Sequence, residues 1–114
     1  MVGEESIQKS GVLTSPNYPS NYPSSHDSTQ TIQVAEGNTI RWAFIDFWTE
    51  PTHDYVQLVD GDGTNLTPEL SGMSDSPVNE YVGNYTSNSN IVHVKFHTDS
   101  SEQRTGWRLK WTEQ

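Results

Sequence analysis

There is no cysteine in this 114-residue chain. That excludes disulfide cross-links and every form of thiolate chemistry, nucleophilic or metal-binding. Basic residues are scarce as well: six Lys and Arg stand against fifteen Asp and Glu, a formal charge of −9. No basic patch able to neutralise a row of phosphates can be assembled from so few cations, which argues against nucleic acid as a partner. The acidic balance instead favours cations or basic protein surfaces and keeps the protein soluble. No apolar run approaches the roughly eighteen residues of a helical membrane span. The 3.6-residue period of an amphipathic helix is missing. So are a nucleophile elbow, an H-E-x-x-H pair and a phosphate-binding glycine loop. His26, His53, His93 and His97 show no ligand spacing with cysteines. His93 and His97 read as an exposed polar strand face, and His53 beside Asp54 lacks a second catalytic group. No enzyme is expected.

What the chain does have is a period of two. Trp107, Leu109 and Trp111 alternate with Arg108 and Lys110; Val92, Val94 and Phe96 with His93, Lys95 and His97; Ile32 and Val34 with Thr31 and Gln33. Each pattern is that of a strand with one dry face and one wet face. Residues 40–45 are apolar on both faces apart from Arg41, which suits a central strand. Ala35-Glu36-Gly37-Asn38 reads as a short hairpin between two strands, and Gly61-Asp62-Gly63-Thr64-Asn65 as a second turn. Pro16, Pro19 and Pro23 keep residues 15–28 extended. Residues 62–90 are polar, contain Pro68 and Pro77, and are expected to hold short strands between loops. The fold class predicted is all-β, an antiparallel β-sandwich. Hydrophobic residues make up only 31%, but four Trp, five Tyr and three Phe each carry much apolar area into a core.

Three aspartates close or open these strands. Asp46 ends the run from Ile40, Asp54 begins Asp54-Tyr55-Val56, and Asp99 follows the strand at 91–98. Carboxylates gathered without a counter-ion repel one another. A hard cation with oxygen ligands relieves the repulsion, and outside cells that cation is usually calcium.

The segment Ser15-Pro16-Asn17-Tyr18-Pro19-Ser20-Asn21-Tyr22-Pro23 resembles the SPNYPxxYP signature of the CUB domain family. Asp54-Tyr55-Val56 with Asp60-Gly61 is similar to its D-Y-V…DG strand, and Asp99-Ser100-Ser101 with Gly106-Trp107 to its closing motif. The resemblance runs over about residues 4–113, so residues 1–114 read as one CUB-like domain. The start Met1-Val2-Gly3-Glu4 lacks a signal sequence and reads as that of a domain excised from a larger secreted protein, with neighbouring domains beside it. The resemblance implies a jelly-roll-like CUB topology and a calcium site. Asp46, eight residues before Asp54, Asp54 itself, Asp99 and the carbonyl of Ser101 would be ligands. Glu102 stands near them, and Tyr22 would hydrogen-bond the acids. The family more often has Glu where Asp46 stands. It also usually carries two disulfides, whereas here Ser28, Pro51 and Ser71 occupy positions where cysteines are expected. Pro51 in particular favours a natural cysteine-free lineage. Losing a disulfide from a small secreted domain costs about 2–5 kcal/mol, so bound Ca2+ and aromatic packing are expected to offset it.

The function this resemblance implies is extracellular, calcium-dependent adhesion: a protein ligand inserting a Lys or Arg against the outward oxygens of the site acids. The alternative is a calcium-stabilised carbohydrate-binding module using Trp48, in the loop from Trp48 to His53, as a stacking platform for a glycan. Two glycosylation sequons, Asn65-Leu66-Thr67 and Asn84-Tyr85-Thr86, suit a secretory route, although the Asn-, Ser- and Thr-rich, cysteine-free composition also suits a secreted bacterial protein.

Overall fold

A computed structural model describes residues 9–72 and 85–114, and in it the period-two segments are strands. In chain order they are β1 (Ser10–Thr14), β2 (Asp27–Gln33), β3 (Ile40–Trp48), β4 (Tyr55–Asp60), β5 (Tyr85–Thr86), β6 (Ile91–His97) and β7 (Gly106–Glu113). They form a four-stranded sheet, β1-β7-β3-β5, and a three-stranded sheet, β2-β6-β4. Every pairing is antiparallel, and no helix occurs among the described residues. The inward faces meet in one core that includes Ile32, Trp42, Phe44, Leu58, Val94, Phe96, Trp107, Leu109 and Trp111.

The turn at Ala35–Asn38 differs from the expected hairpin. Asn38 N–H donates to the Ala35 carbonyl at 3.1 Å, and Gly37 takes φ 94°. The strands it joins do not pair with each other, however. β2 pairs with β6 along its whole length, and β3 pairs with β7. The turn therefore carries the chain from one sheet to the other, because each strand finds a longer partner elsewhere.

β3 is the central strand that its two-sided apolar character suggested. Its inward residues are Ile40, Trp42 and Phe44, and then Phe47. The change of parity is a β-bulge: Phe44 faces Leu109 and Asp46 faces Arg108, so Ile45 has no partner position of its own on β7. A bulge inserts one residue and turns all later side chains to the opposite face. Without it, Asp46 would share the inward face of Phe44. With it, Asp46 is exposed and Phe47 is buried.

Aromatic rings join the two sheets edge to face. Tyr22 meets Phe96 at 5.1 Å, Phe96 meets Trp107 at 5.8 Å, Trp107 meets Phe44 at 6.1 Å, and Phe44 meets Phe47 at 5.1 Å. Such contacts add about 0.5–1.5 kcal/mol each beyond the area they bury. Where β7 begins, Gly106 has φ 94°, and a Cβ there would lie 1.9 Å from Ser15 Oγ. Only glycine lets Ser15 approach closely enough for its Oγ to accept from Trp107 N–H at 3.0 Å.

At the opposite end of the sandwich, buried Asp60 terminates β4. Its carboxylate accepts from the N–H groups of Asp62 (3.0 Å), Asn88 (2.8 Å) and Ser89 (3.0 Å). Burial alone would raise its pKa. The amide donors, led by Asp62 and Asn88, outweigh burial and hold it below the usual carboxylate range. A depressed pKa stabilises the fold above the unfolded value of about 3.9, and this contribution is lost as pH falls through the folded value. Asp60→Asn removes the charge and turns an amide nitrogen towards an N–H donor. We expect a loss of about 1–3 kcal/mol at pH 7, read by urea unfolding, with the difference from wild type shrinking as pH falls through the lowered folded pKa. A difference independent of pH would show that the charge is not what matters.

Candidate metal centre

Three segments converge where β3 and β6 end and β4 begins. Between β3 and β4 the chain curls once: Asp54 N–H donates to the Glu50 carbonyl at 3.2 Å, and Thr49 Oγ1 donates to the Asp54 carbonyl at 3.2 Å. This turn brings the side chains of Glu50 and Asp54 together. Asp99, in the loop after β6, supplies a third carboxylate. One oxygen from each of Glu50, Asp54 and Asp99 lies within 4.8 Å of the other two.

Asp54 is completely buried, at 0% exposure, and both its oxygens are engaged. Oδ2 accepts from Tyr22 Oη at 2.6 Å, and Oδ1 accepts from Asp99 N–H at 2.8 Å. Tyr22 Oη in turn accepts from Glu50 N–H at 3.1 Å. Burial pushes the Tyr22 pKa far up, and donation to Asp54 pushes it further, so the phenol keeps its proton. Asp99 Oδ1 accepts from Ser101 N–H at 3.0 Å, and this bond leads in holding Asp99 below the usual range. Glu50 moves the other way, raised by desolvation and then by the charge of Asp99.

Two of the expected acids, Asp54 and Asp99, are thus brought together, and Tyr22 bonds Asp54. Asp46 lies outside the cluster. It is exposed, faces Arg108 across the strand pair and accepts from Tyr18 Oη. That contact, more than the burial of the ring, raises the Tyr18 pKa. The bulge at Ile45 is the physical reason. Glu50 stands beside Asp54 and Asp99 instead. Its signal in the sequence is a separation of four residues from Asp54 across a proline-containing turn.

Ser101 lies in the Asp99 loop and is exposed. Glu102, at φ 62°, turns to Arg104, with 3.1 Å between Oε1 and the guanidinium. Arg104 also lies over the Trp48 ring at 6.0 Å, so Trp48, 41% exposed, is partly covered. His53 Nδ1 is 3.9 Å from Asp99 Oδ2. Asn65 is exposed, whereas Asn84 lies outside the described residues.

The donor set fits a hard cation. It is all oxygen, and oxygens bonded to one calcium at about 2.3–2.6 Å are at most about 5 Å apart. Glu50 Oε1 is buried with no hydrogen-bond partner, an orphaned acceptor of the kind that costs stability unless something donates to it or binds it. Three carboxyl groups set this close repel one another when ionised, and a divalent ion between them relieves that repulsion.

The family profile described as the CUB domain matches residues 2–111. Human mannan-binding lectin serine protease 1 is 30% identical over 111 residues, which cover 91% of this chain and 15% of that protein. Among solved structures, the MASP-1 CUB2 domain bound to Ca2+ matches at 28% identity with a TM-score of 0.73, covering 93% of this chain and 94% of that one. The extracellular region of zebrafish Gpr126/Adgrg6 matches at 26% identity and a TM-score of 0.79, covering 93% of this chain and 14% of that one.

Tyr22→Phe tests the scaffold of the site. It leaves the Asp54 carboxylate without its hydroxyl donor and Glu50 N–H without its acceptor, both at low exposure. We expect a loss of about 2–4 kcal/mol in urea unfolding, where Tyr18→Phe, at a more exposed bond, costs below about 1.5 kcal/mol. Equal losses would show that the buried bond to Asp54 does not organise this end.

Proposed function

Because the chain belongs to the CUB domain family, we propose that it is a non-catalytic, calcium-stabilised binding module of an extracellular protein. The observation that carries this reading is the convergence of Glu50, Asp54 and Asp99, with a buried Glu50 oxygen that has no partner. These three acids would hold the ion, with the carbonyl of Ser101 and water completing the shell. Bound calcium supplies the positive charge that lets all three carboxylates ionise together. The chain's own residues do the rest. The buried Tyr22–Asp54 bond fixes the turn at Glu50, and the Asp54 bond to Asp99 N–H fixes the loop after β6.

With its loops held, this end of the sandwich presents carboxylate oxygens to a Lys or Arg of a partner protein through a charge-assisted hydrogen bond in a rigid site. Such a contact weakens with salt. The relative that carries Ca2+ on its CUB2 domain and the neighbour named as an extracellular region support the cation and the compartment. Stacking of a sugar on Trp48 is the less favoured reading, because the Arg104 guanidinium already lies over that ring.

Thermal unfolding in EDTA, calcium and magnesium tests the proposal. Calcium at a hundredfold excess over its Kd contributes about 2.7 kcal/mol by binding only the folded state, and magnesium contributes much less because it demands tighter octahedral geometry. The calcium gain is expected to disappear in Glu50→Gln and Asp99→Asn and to persist in Asp46→Asn. The reverse pattern would move Asp46 into the shell in place of Glu50, and no gain in the wild type would overturn the calcium reading.

A further inference from the structure

The outer face of the three-stranded sheet carries a trough of about 450 Å3 that the metal centre does not use. It is built from two cross-strand rows. Asp27 on β2, His97 on β6 and Tyr55 on β4 form the first; Thr29, Lys95 and Gln57 on the same strands form the second. The volume falls in the range of small-molecule sites, roughly 300–1,000 Å3, room for one or two sugar rings.

The first row is already ordered. His97 Nδ1 is hydrogen-bonded to Asp27 Oδ1 at 2.6 Å, and its ring lies against Tyr55 with centroids 5.2 Å apart and planes 32° from parallel. The two rings are therefore offset-stacked, and both line the trough, where the ring area they leave open suits the apolar face of a pyranose. In the second row, Gln57 Nε2 donates to the Thr67 carbonyl at 3.2 Å, which fixes the amide. Between Gln57 and Thr29 stands exposed Lys95, flanked on both sides by neutral residues. The Lys95 ammonium takes part in no hydrogen bond or ion pair among the described residues. In a chain of formal charge −9, an unpaired cation in a polar trough selects an anionic group. An aromatic surface, a cation and fixed polar side chains within one small depression match one ligand chemistry.

We propose that this trough binds a carboxylated sugar, its ring against Tyr55 and His97, its carboxylate on Lys95 and its hydroxyls on Asp27, Thr29 and Gln57. An acidic peptide would satisfy Lys95 but has no use for the paired rings. The inference is independent of the calcium proposal, although Tyr55 adjoins Asp54 in sequence.

The test uses the whole chain, with methyl β-glucuronide and methyl β-glucoside as probes, followed by amide chemical-shift titration in EDTA and again in calcium. Failure of the metal reading then leaves this result intact. We expect shifts centred on residues 27–29, 55–57 and 95–97, with the glucuronide bound about tenfold more tightly than the glucoside. Lys95→Gln, an exposed substitution that leaves the core untouched, is expected to bring the glucuronide down to the glucoside level. Tyr55→Ala is expected to abolish both, and Tyr55→Phe to retain both. Equal affinity of the two sugars, shifts lying elsewhere, or no binding would overturn the proposal. So would a glutamate-rich peptide that occupied the trough as tightly as the glucuronide.

Discussion

A single buried carboxylate organises the acidic end of this sandwich. Asp54 lies wholly inside, and its two oxygens hold the proline-rich segment through Tyr22 and the loop after β6 through the Asp99 amide. Burying a charge is costly unless it is hydrogen-bonded on all sides, so Tyr22 and the Asp99 amide are as necessary as Asp54 itself. Tyr22 extends the constraint further. Its hydroxyl anchors Glu50 N–H, and its ring begins the edge-to-face series through Phe96 and Trp107 to Phe44 and Phe47. The geometry of the acids and the packing of the core are thus coupled through one side chain.

The chain achieves this without the cross-links that its resemblance to the family would lead one to expect. Where cysteines are expected at 51 and 71, hydrogen bonds clamp the two loops instead. Thr49 N–H donates to the Gly72 carbonyl at 2.8 Å, Gly72 N–H to Thr49 Oγ1 at 3.1 Å, and Thr52 N–H to Ser71 Oγ at 3.0 Å. Each is worth about 0.5–1.5 kcal/mol net, so three together approach the contribution of one disulfide. They restrain the folded state only, whereas a covalent bridge also restricts the unfolded chain. That difference leaves room for a cation at the same loops to matter more here than in a cross-linked relative.

Most strands were legible because alternation is a physical signature of a half-buried strand, and Trp107, Leu109 and Trp111 follow it without interruption into the core. The central position of β3 was legible from its two-sided apolar run. Two features were not. The turn at Ala35–Asn38 is locally indistinguishable from a hairpin; only the longer partners of β2 and β3 make it a crossing between sheets. The bulge at Ile45 leaves no mark in composition, since Phe44, Ile45 and Phe47 are all apolar, and one inserted residue decides which face of the sheet Asp46 takes. Counting along a strand locates the face of a side chain only when the strand is regular.

β1 and β7 lie side by side and antiparallel, with Ser10 opposite Thr112, while Thr14 and Arg108 point towards the acidic end. Glu113 N–H also bonds the Lys9 carbonyl at 2.8 Å. Both ends of the described chain therefore leave from the pole remote from Asp54, next to each other. A pull on those two ends would load the β1–β7 ladder one rung at a time, as a zipper opens, and not across all rungs at once. The mechanical weak point of the domain is thus the seam between β1 and β7. The pole bearing Glu50, Asp54 and Asp99 would stay intact while the first strand peels away.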